Sequence, residues 1–259
     1  MGPRRWPCAA VCALSIGVAV ASSQFDEAVA LIEKGNPQGA IPMLEQLTRA
    51  DAKDARAWKA LGVAFASMQR YSEAEPAFAQ ACSLAPLLLD ACYYHGRALY
   101  ALNRFDASLV ALRRALPFDR SWKLQLAIAQ SAEGLGDAKA AEEAYRAASD
   151  RDPSAGAAYG QFLIRQGRWD EAESALRKVV ERFPASAAGL THLGRALLHR
   201  DRTTDAIALL ERAVAASPNS AQPHLLLANA YVRAGRAADA QPHFEKAWKL
   251  EANSQGSAP

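Results

Sequence analysis

The sequence predicts an all-α protein, a superhelical solenoid of about seven helix-turn-helix units. A set of small and large apolar residues recurs about every 34 positions along the chain, and a short helix-breaking pair divides each unit. Alanine is abundant while β-branched residues are few, which favours helix over strand. With 51% hydrophobic and 22% charged residues, the chain can bury a large core and is not an intrinsically disordered chain.

The first 21 residues resemble an export signal. Arg4 and Arg5 form a basic start, an apolar stretch runs over 8–21, and Ala19-Val20-Ala21 provides small residues for cleavage. We therefore expect cleavage after Ala21, with the mature protein in the periplasm or extracellular space and no stable membrane span. An uncleaved signal anchor is the alternative, but the stretch is shorter than the roughly 20 residues of an ordinary span.

Cleavage also changes the charge of the mature protein. Removal of Arg4 and Arg5 lowers the formal net charge from +3 to +1. The basic isoelectric point therefore gives no reason to expect a nucleic-acid partner.

The repeat is defined by one small residue in the second helix of each unit. Four positions later comes a large apolar residue, so both lie on one stripe of a helix. The small residues are Ala40, Ala74, Ser108, Ala141, Ala172, Ala206 and Ala240, and the large ones are Leu44, Phe78, Leu112, Tyr145, Leu176, Leu210 and Phe244. The predicted units are 22–54, 55–88, 89–121, 122–155, 156–186, 187–220 and 221–252, followed by a disordered tail at 253–259.

Inside each unit, a short breaker separates two amphipathic segments. Glycine or asparagine at such a place fits a helix end that needs a left-handed residue. The breakers are Gly35-Asn36, Gln69-Arg70, Asn103-Arg104, Gly136-Asp137, Gly167-Arg168, Asp201-Arg202 and Gly235-Arg236.

The starts of several second helices are also predicted. Ser72 with Glu75, and Asp170 with Glu173, match capping boxes at which a helix would begin. Three second helices contain a proline near their start, and we expect these helices to begin late or to kink. The prolines are Pro42, Pro76 and Pro242.

Residues 55–88 resemble a tetratricopeptide repeat. The match to the W-x₂-L-G-x₂-Y, A-x₃-F and P pattern consists of Trp58, Leu61, Gly62, Phe65, Ala74, Phe78, Ala81 and Pro86. The resemblance extends over roughly 21–252. It implies a right-handed superhelix whose first helices line a concave groove, with protein or peptide binding in that groove and usually no catalysis.

The groove should be lined by first-helix residues that are out of phase with the core stripe. Basic residues predominate among them, which suits an extended and acidic peptide; an ordinary solvated helix face is the alternative. The candidates are Arg56, Lys59, Tyr93, Arg97, Tyr100, Lys123, Gln130, Gln161, Arg165, Arg195, His199, Asn229 and Arg233.

Sites for catalysis, cofactors and metals are not expected. The segment Gly134 to Ala140 loosely resembles a dinucleotide-binding loop, but it follows a helix rather than a strand. The sequence has no paired histidines or cysteines at metal-ligand spacing, and no set of nucleophile, base and orienting residue. We therefore predict that the protein is not an enzyme.

Two cysteines remain after cleavage. Cys82 closes one second helix and Cys92 opens the next first helix, so a disulfide is geometrically feasible. We favour two small, free, buried residues instead, because free cysteine is often buried.

The last helix carries Phe244 and Trp248 with only a short polar segment after it. We expect an apolar contact surface there, used for weak homodimerisation or for docking of a partner. The favoured function is an exported adaptor or scaffold. An accessory subunit of an envelope-assembly or polysaccharide-export machine is the alternative, and an RNA-binding helical-repeat protein is less favoured.

Overall fold

The structure, a computed structural model, describes residues 23–85 and 89–256. The predicted signal at 1–21, and Pro86, lie outside the described residues. Within the described part every regular element is an α-helix, which confirms the predicted class. The helices are α1 (23–33), α2 (Pro37–Ala50), α3 (Ala55–Ser67), α4 (Tyr71–Leu84), α5 (Leu89–Ala101), α6 (Phe105–Ala115), α7 (Trp122–Leu135), α8 (Ala138–Ser149), α9 (Pro153–Arg165), α10 (Trp169–Arg182), α11 (Ala187–His199), α12 (Thr203–Ala216), α13 (Ala221–Arg233) and α14 (Ala237–Gly256).

The chain forms two compact units. Within the described residues, unit 1 comprises 23–85 and 89–120 with Gln130–Gly136, and unit 2 comprises Ser121–Ala129 with 137–256. In unit 1 the helices α2 to α6 include the packed pairs α3 with α4 and α5 with α6. In unit 2 each helix from α8 to α14 packs against the next, and the first helix α11 also contacts the first helices α9 and α13.

The repeated stripe forms the core, as predicted. All seven small anchor residues are buried, with Ala240 the most exposed at 2%. Six of the seven large residues, from Leu44 to Leu210, are also fully buried, and only Phe244 is half-buried. Burial of one such side chain stabilises the fold by about 2 kcal/mol, so the stripe is a main source of stability.

The first residue of every predicted breaker has a positive φ, as expected. Three of them are not glycine: Gln69, Asn103 and Asp201, with φ between 57° and 60°. The other four are glycines with φ between 73° and 84°. The left-handed residue ends the first helix and turns the chain so that the second helix packs back against it.

Two first-helix glycines are required for close packing. A Cβ at Gly62 would lie 2.6 Å from the ring of Phe78, and one at Gly194 would lie 2.6 Å from Leu210. These distances are far below van der Waals contact. The glycine therefore lets the large residue of the second helix pack against the backbone of the first.

The predicted helix starts at Ser72 and Asp170 are wrong. Helix α4 begins at Tyr71 and α10 at Trp169, with Arg70 and Arg168 as the N-cap residues. Each arginine instead pairs with the acid three residues later: Arg70 with Glu73, and Arg168 with Glu171. An acid in the first turn is stabilised by the helix dipole, so these pairs replace the capping box.

The expectation that prolines delay the second helices is also wrong. Helices α2, α4 and α14 begin at Pro37, Tyr71 and Ala237, five residues before Pro42, Pro76 and Pro242. At the sixth helical position a proline removes only one backbone hydrogen bond of the helix, and the preceding turn is retained.

Two predicted boundaries also differ from the helices. Pro153 is the first residue of α9, where its fixed φ suits a helix start, so the fifth repeat begins there rather than at 156. At the other end α14 continues to Gly256, so residues 253–256 of the predicted disordered tail are helical.

The two cysteines of unit 1 form a disulfide. Cys82 and Cys92 are bonded with their Cα atoms 4.8 Å apart, and both are buried. The expectation of two free cysteines is wrong. The bridge joins the end of α4 to the start of α5, which belong to neighbouring repeats.

Unit 2 contains acidic side chains that are held by arginines. Glu173 is 1% exposed and pairs with Arg177, Arg200 and Arg202; the Arg202 Nη1 lies 2.9 Å from its carboxylate. Glu142 has the same position in the preceding repeat and accepts hydrogen bonds from Arg168. Each acid follows the small anchor residue and bonds the next repeat, so these pairs join neighbouring repeats.

Among the described helices, none is both long and apolar enough to cross a membrane.

Candidate functional site

In unit 2 the first helices expose a cavity of about 420 Å³. Arg195 and His199 from α11 line it together with Asn229 and Arg233 from α13, all four of which were predicted. The His199 ring stacks on Trp169, with centroids 3.7 Å apart and planes within 7° of parallel. Four of the residues predicted to line the groove therefore lie in one cavity.

The charges in this cavity are positive. Among the described residues that line it there is no carboxylate. The guanidinium of Arg233 donates a hydrogen bond to the carbonyl oxygen of Leu198 at 2.7 Å, which orients it without neutralising it. Arg195 has no carboxylate partner among the described residues either. An anionic group is the complementary ligand for this arrangement.

A buried histidine precedes Arg195 on the same helix and is kept neutral mainly by burial. His192, one turn before Arg195 on α11, is 7% exposed, and its Nδ1 has no hydrogen-bond partner. Burial, and then the charges of Arg195 and Arg165, lower the pKa of His192 to about 4. The histidine is therefore neutral at pH 7, and Arg195 and Arg233 supply the positive charge of the site.

In unit 1 the corresponding face has a different chemistry. A cavity of about 520 Å³ lies between α3, α4 and α5, and the predicted Tyr93, Arg97 and Tyr100 line it. Tyr71, Phe78 and Tyr94 complete an aromatic wall. We call this site the aromatic groove, and the site lined by Arg195 and Arg233 the cationic cavity.

The remaining candidates line neither cavity. The guanidinium of Arg56 lies 5.4 Å from the ring of Phe25, and the Lys59 amine pairs with Asp90 at 2.9 Å. Lys123 lies over the neighbouring ring of Trp122 at 5.7 Å. Gln130, Gln161 and Arg165 are also on first helices but outside both sites.

Sequence reasoning missed the aromatic residue that opens a second helix. Trp169 and Tyr71 follow the breakers Gly167-Arg168 and Gln69-Arg70 directly, and both line a site. Phe105 occupies the same position in the third repeat and packs against Tyr100, with centroids 5.4 Å apart. An aromatic residue immediately after a breaker was therefore a usable signal.

Family comparison identifies the repeat. Models described as tetratricopeptide repeat match residues 25–88 and 160–221, 197–257, and 123–154. The chain belongs to the tetratricopeptide repeat family. No curated protein matches it in sequence.

Solved structures share the tetratricopeptide fold. A tetratricopeptide repeat protein from Parabacteroides merdae has a TM-score of 0.69 and 14% identity, covering 89% of this chain and 93% of that one. A chain of the APC/C heterotetramer Cut9–Hcn1 gives 0.63 and 18%, covering 87% of this chain, which spans only 45% of that one. YrrB, described as a TPR protein with an unusual peptide-binding site, gives 0.53 and 19%, with 73% and 97% covered. At such identities the likeness establishes the fold alone.

A larger cavity in unit 2 has a lining of mixed charge. Its volume is about 570 Å³, and both cations and acids line it. Among them Arg146 already pairs with Glu142, and Glu171 with Arg168. Since the lining mixes acids with cations, it favours neither an anionic nor a cationic ligand.

The last helix presents the predicted apolar residues. Trp248 is 77% exposed, and Phe244 is half-buried. Among the described residues, no group of three or more histidine, cysteine or acidic side chains could hold a metal ion.

Proposed function

We propose that this protein is a non-catalytic scaffold that binds an acidic segment of a partner protein on the first-helix faces of its repeats. The observation that carries the proposal is the cationic cavity, where Arg195 and Arg233 lie beside the Trp169–His199 stack without a carboxylate in the wall.

The chemistry of the cavity supports a carboxylate ligand. Guanidinium groups bind carboxylates through two parallel hydrogen bonds, and the Asn229 amide adds a neutral donor. The stacked rings of Trp169 and His199 provide a flat apolar surface that excludes water beside the charges, which strengthens the interaction. Membership of the tetratricopeptide family, and the peptide-binding site named for the similar YrrB, support a peptide rather than a small molecule.

Binding of short fluorescent peptides tests this proposal. A peptide rich in aspartate and glutamate is compared with the same peptide carrying asparagine and glutamine, by fluorescence anisotropy. We expect the acidic peptide to bind more tightly and its affinity to fall with added salt, since ions screen exposed charges. Arg233→Glu should weaken it at least about tenfold, equivalent to about 1.4 kcal/mol.

Arg212→Glu is the matched control. Arg212 also donates to a backbone carbonyl, that of Pro184 at 3.1 Å, but it lies on the second helix α12 outside the cavity. Equal loss of affinity in both variants would show that only net charge matters, and equal binding of the acidic and amide peptides would refute the proposal.

The proposed setting is an oxidising, exported compartment. The predicted signal at 1–21 supports it, and so does the Cys82–Cys92 disulfide, because disulfides persist in such compartments. Cell fractionation with sequencing of the mature amino terminus tests this. We expect a chain that begins at Ser22 in the exported fraction, and an intact chain in the cytoplasm would contradict it.

We also propose weak homodimerisation through the last helix. The 77% exposure of Trp248 supports a contact there, because a large apolar side chain in water favours burial against a partner. Light scattering at increasing concentration should show a rise in mass that Trp248→Ala abolishes. A constant monomer mass in both proteins would argue against the dimer.

A further inference from the structure

The aromatic groove of unit 1 contains rings that already interact as an ordered set. Tyr94 stacks on Phe78 with centroids 5.4 Å apart and planes 21° from parallel, and Tyr93 meets Tyr94 edge to face at 5.5 Å. Tyr94 remains 37% exposed, although its ring is stacked on the core residue Phe78. The outermost member of the set therefore presents aromatic surface to solvent.

Small residues also line the groove and leave room for an added side chain. Val63 and Ala66 on α3, with Ala98 on α5, line the groove of about 520 Å³. This volume lies within the range of pockets that enclose a ligand group. Since the wall is aromatic and aliphatic, the group that enters it should be apolar.

One charged side chain lines the groove, and it is a cation. The Arg97 guanidinium lies 3.5 Å from the Tyr93 hydroxyl oxygen and pairs with no described carboxylate. The nearby Asp90 is already paired with Lys59 at 2.9 Å. The charge presented at the groove is therefore positive, and an acidic residue next to the apolar group would complement it.

The groove is held in its binding geometry before any ligand arrives. The disulfide at Cys92 fixes the start of α5 immediately before Tyr93, and the Lys59–Asp90 pair ties α5 to α3. A site that is ordered in advance loses less entropy on binding.

We propose that the aromatic groove is a subsite for a phenylalanine, tyrosine or tryptophan side chain of the partner peptide, flanked by an aspartate or glutamate that bonds to Arg97. An aromatic guest is favoured over an aliphatic one because ring pairs gain about 0.5–1.5 kcal/mol beyond the area they bury, or about two- to tenfold in affinity. This inference rests on the proposed function, since it names one residue type of the peptide that the first helices bind.

Three short fluorescent peptides test the subsite on the full mature chain. They share acidic flanks and differ only at the centre, which is phenylalanine, leucine or alanine. We expect phenylalanine to bind at least about tenfold tighter than alanine and about threefold tighter than leucine. Tyr94→Ala should remove the difference between phenylalanine and alanine, whereas Tyr94→Phe should keep it.

Two further variants distinguish a folding defect from loss of the aromatic subsite, and the aromatic subsite from the cationic cavity. Tyr94→Leu keeps most of the apolar volume against Phe78, so it gives the same test if Tyr94→Ala does not fold. Arg195→Glu in the cationic cavity should leave the preference for phenylalanine unchanged. Equal or tighter binding of the leucine peptide would overturn the inference.

The results also distinguish this inference from the proposed function. If all three peptides bind equally and Arg233→Glu weakens them, the aromatic subsite is wrong and the acidic-peptide scaffold stands. If none of them binds, both are wrong.

Discussion

Unit 1 and unit 2 are built from the same repeat, yet they differ in what they expose and in what holds them together. Unit 1 presents an aromatic groove with the single cation Arg97, and a disulfide joins two of its repeats. Unit 2 presents a cationic cavity, and Glu142 and Glu173 join its repeats through arginines. Ion pairs also join repeats in unit 1, between Lys59 and Asp90 and between Glu75 and Arg104. The disulfide is therefore what distinguishes the joint of unit 1.

The two units differ at positions of the repeat where the side chain is not needed for packing of the core. The small anchor and the large residue after it are constrained because each packs against the partner helix, as Phe78 does on Gly62 and Leu210 on Gly194. First-helix positions out of phase with that stripe contact solvent and can carry rings in one unit and cations in the other. Ligand chemistry can vary along such an array without a change of core.

Acid should destabilise unit 2 more than unit 1, and this is the largest effect we predict. His192 titrates near 6.5 when unfolded, but burial lowers its pKa to about 4 in the folded state. As pH falls through this window the unfolded chain binds a proton that the folded chain excludes. Stability is therefore full above about pH 6.5, and about 3 kcal/mol is lost by about pH 4.

Two other groups of unit 2 act in the same direction. Burial, and then neighbouring His224, lower the pKa of His243. Hydrogen bonding to Arg168 lowers the pKa of Glu142, so its contribution is lost as pH falls below the ordinary value of about 4.3.

Urea unfolding at pH 7 and at about pH 4 measures the acid effect. His192→Leu should lose most of the pH dependence between these values, because leucine cannot titrate. Thr191→Val, a buried and non-titrating neighbour, is the control and should keep the wild-type dependence. An unchanged dependence in His192→Leu would show that another group is responsible.

Glu173→Gln should cost about 2–3 kcal/mol, because a buried neutral amide replaces a carboxylate that bonds to three arginines. The arginines are themselves nearly half exposed, so water can solvate their charges after the change. Glu75 occupies the same repeat position in unit 1, but its side chain is 22% exposed, bonds to His95 at 2.9 Å and lies 3.9 Å from the exposed Arg104. Glu75→Gln should therefore cost less, about 1 kcal/mol.

Amide hydrogen exchange, resolved for each helix, measures the local stability lost in these two variants. Exchange should accelerate in α10 and α11 for Glu173→Gln, while α3 and α4 remain as in the wild type. Equal losses in the two variants would remove the distinction between buried charge in unit 2 and weaker pairing in unit 1.

Loss of the disulfide should cost about 2–3 kcal/mol, a typical value for a bridge that closes a short loop. The double variant Cys82→Ala with Cys92→Ala should open α4 and α5 of unit 1 and leave α11 to α13 unchanged, again by hydrogen exchange. A mild dithiol reductant should reproduce this result in the wild type and have no effect on the variant. Faster exchange in unit 2 would contradict a local role for the bridge.

The sequence was sufficient for most of the fold because the period constrains it physically. Ala74 and Phe78 fit only a close-packed second helix, and Gln69 marks a left-handed helix end even without glycine. Helix starts were misjudged because capping patterns at Ser72 and Asp170 are local, while Glu173 is used by arginines from the next repeat. The disulfide could not be predicted from the spacing of the two cysteines along the chain, because it depends on the distance between the end of α4 and the start of α5 in the fold.

The candidate site was predicted only in part. The phase of the first helices identified Arg195, Asn229 and Arg233, which lie in one cavity. It did not identify Trp169, which comes from a second helix and reaches the cavity by stacking on His199. Such a contribution depends on the packing of three helices, which the phase of one helix cannot specify.

Side-chain footprinting of the peptide complex tests the central claim most directly. Hydroxyl radicals label exposed aromatic and histidine side chains, with and without a saturating acidic peptide that carries a phenylalanine. We predict protection of Trp169 and His199 in unit 2 and of Tyr93 and Tyr94 in unit 1, with Trp248 labelled equally in both samples. Protection of Trp248, or of second-helix surfaces without the first-helix residues, would contradict the assignment of binding to these faces.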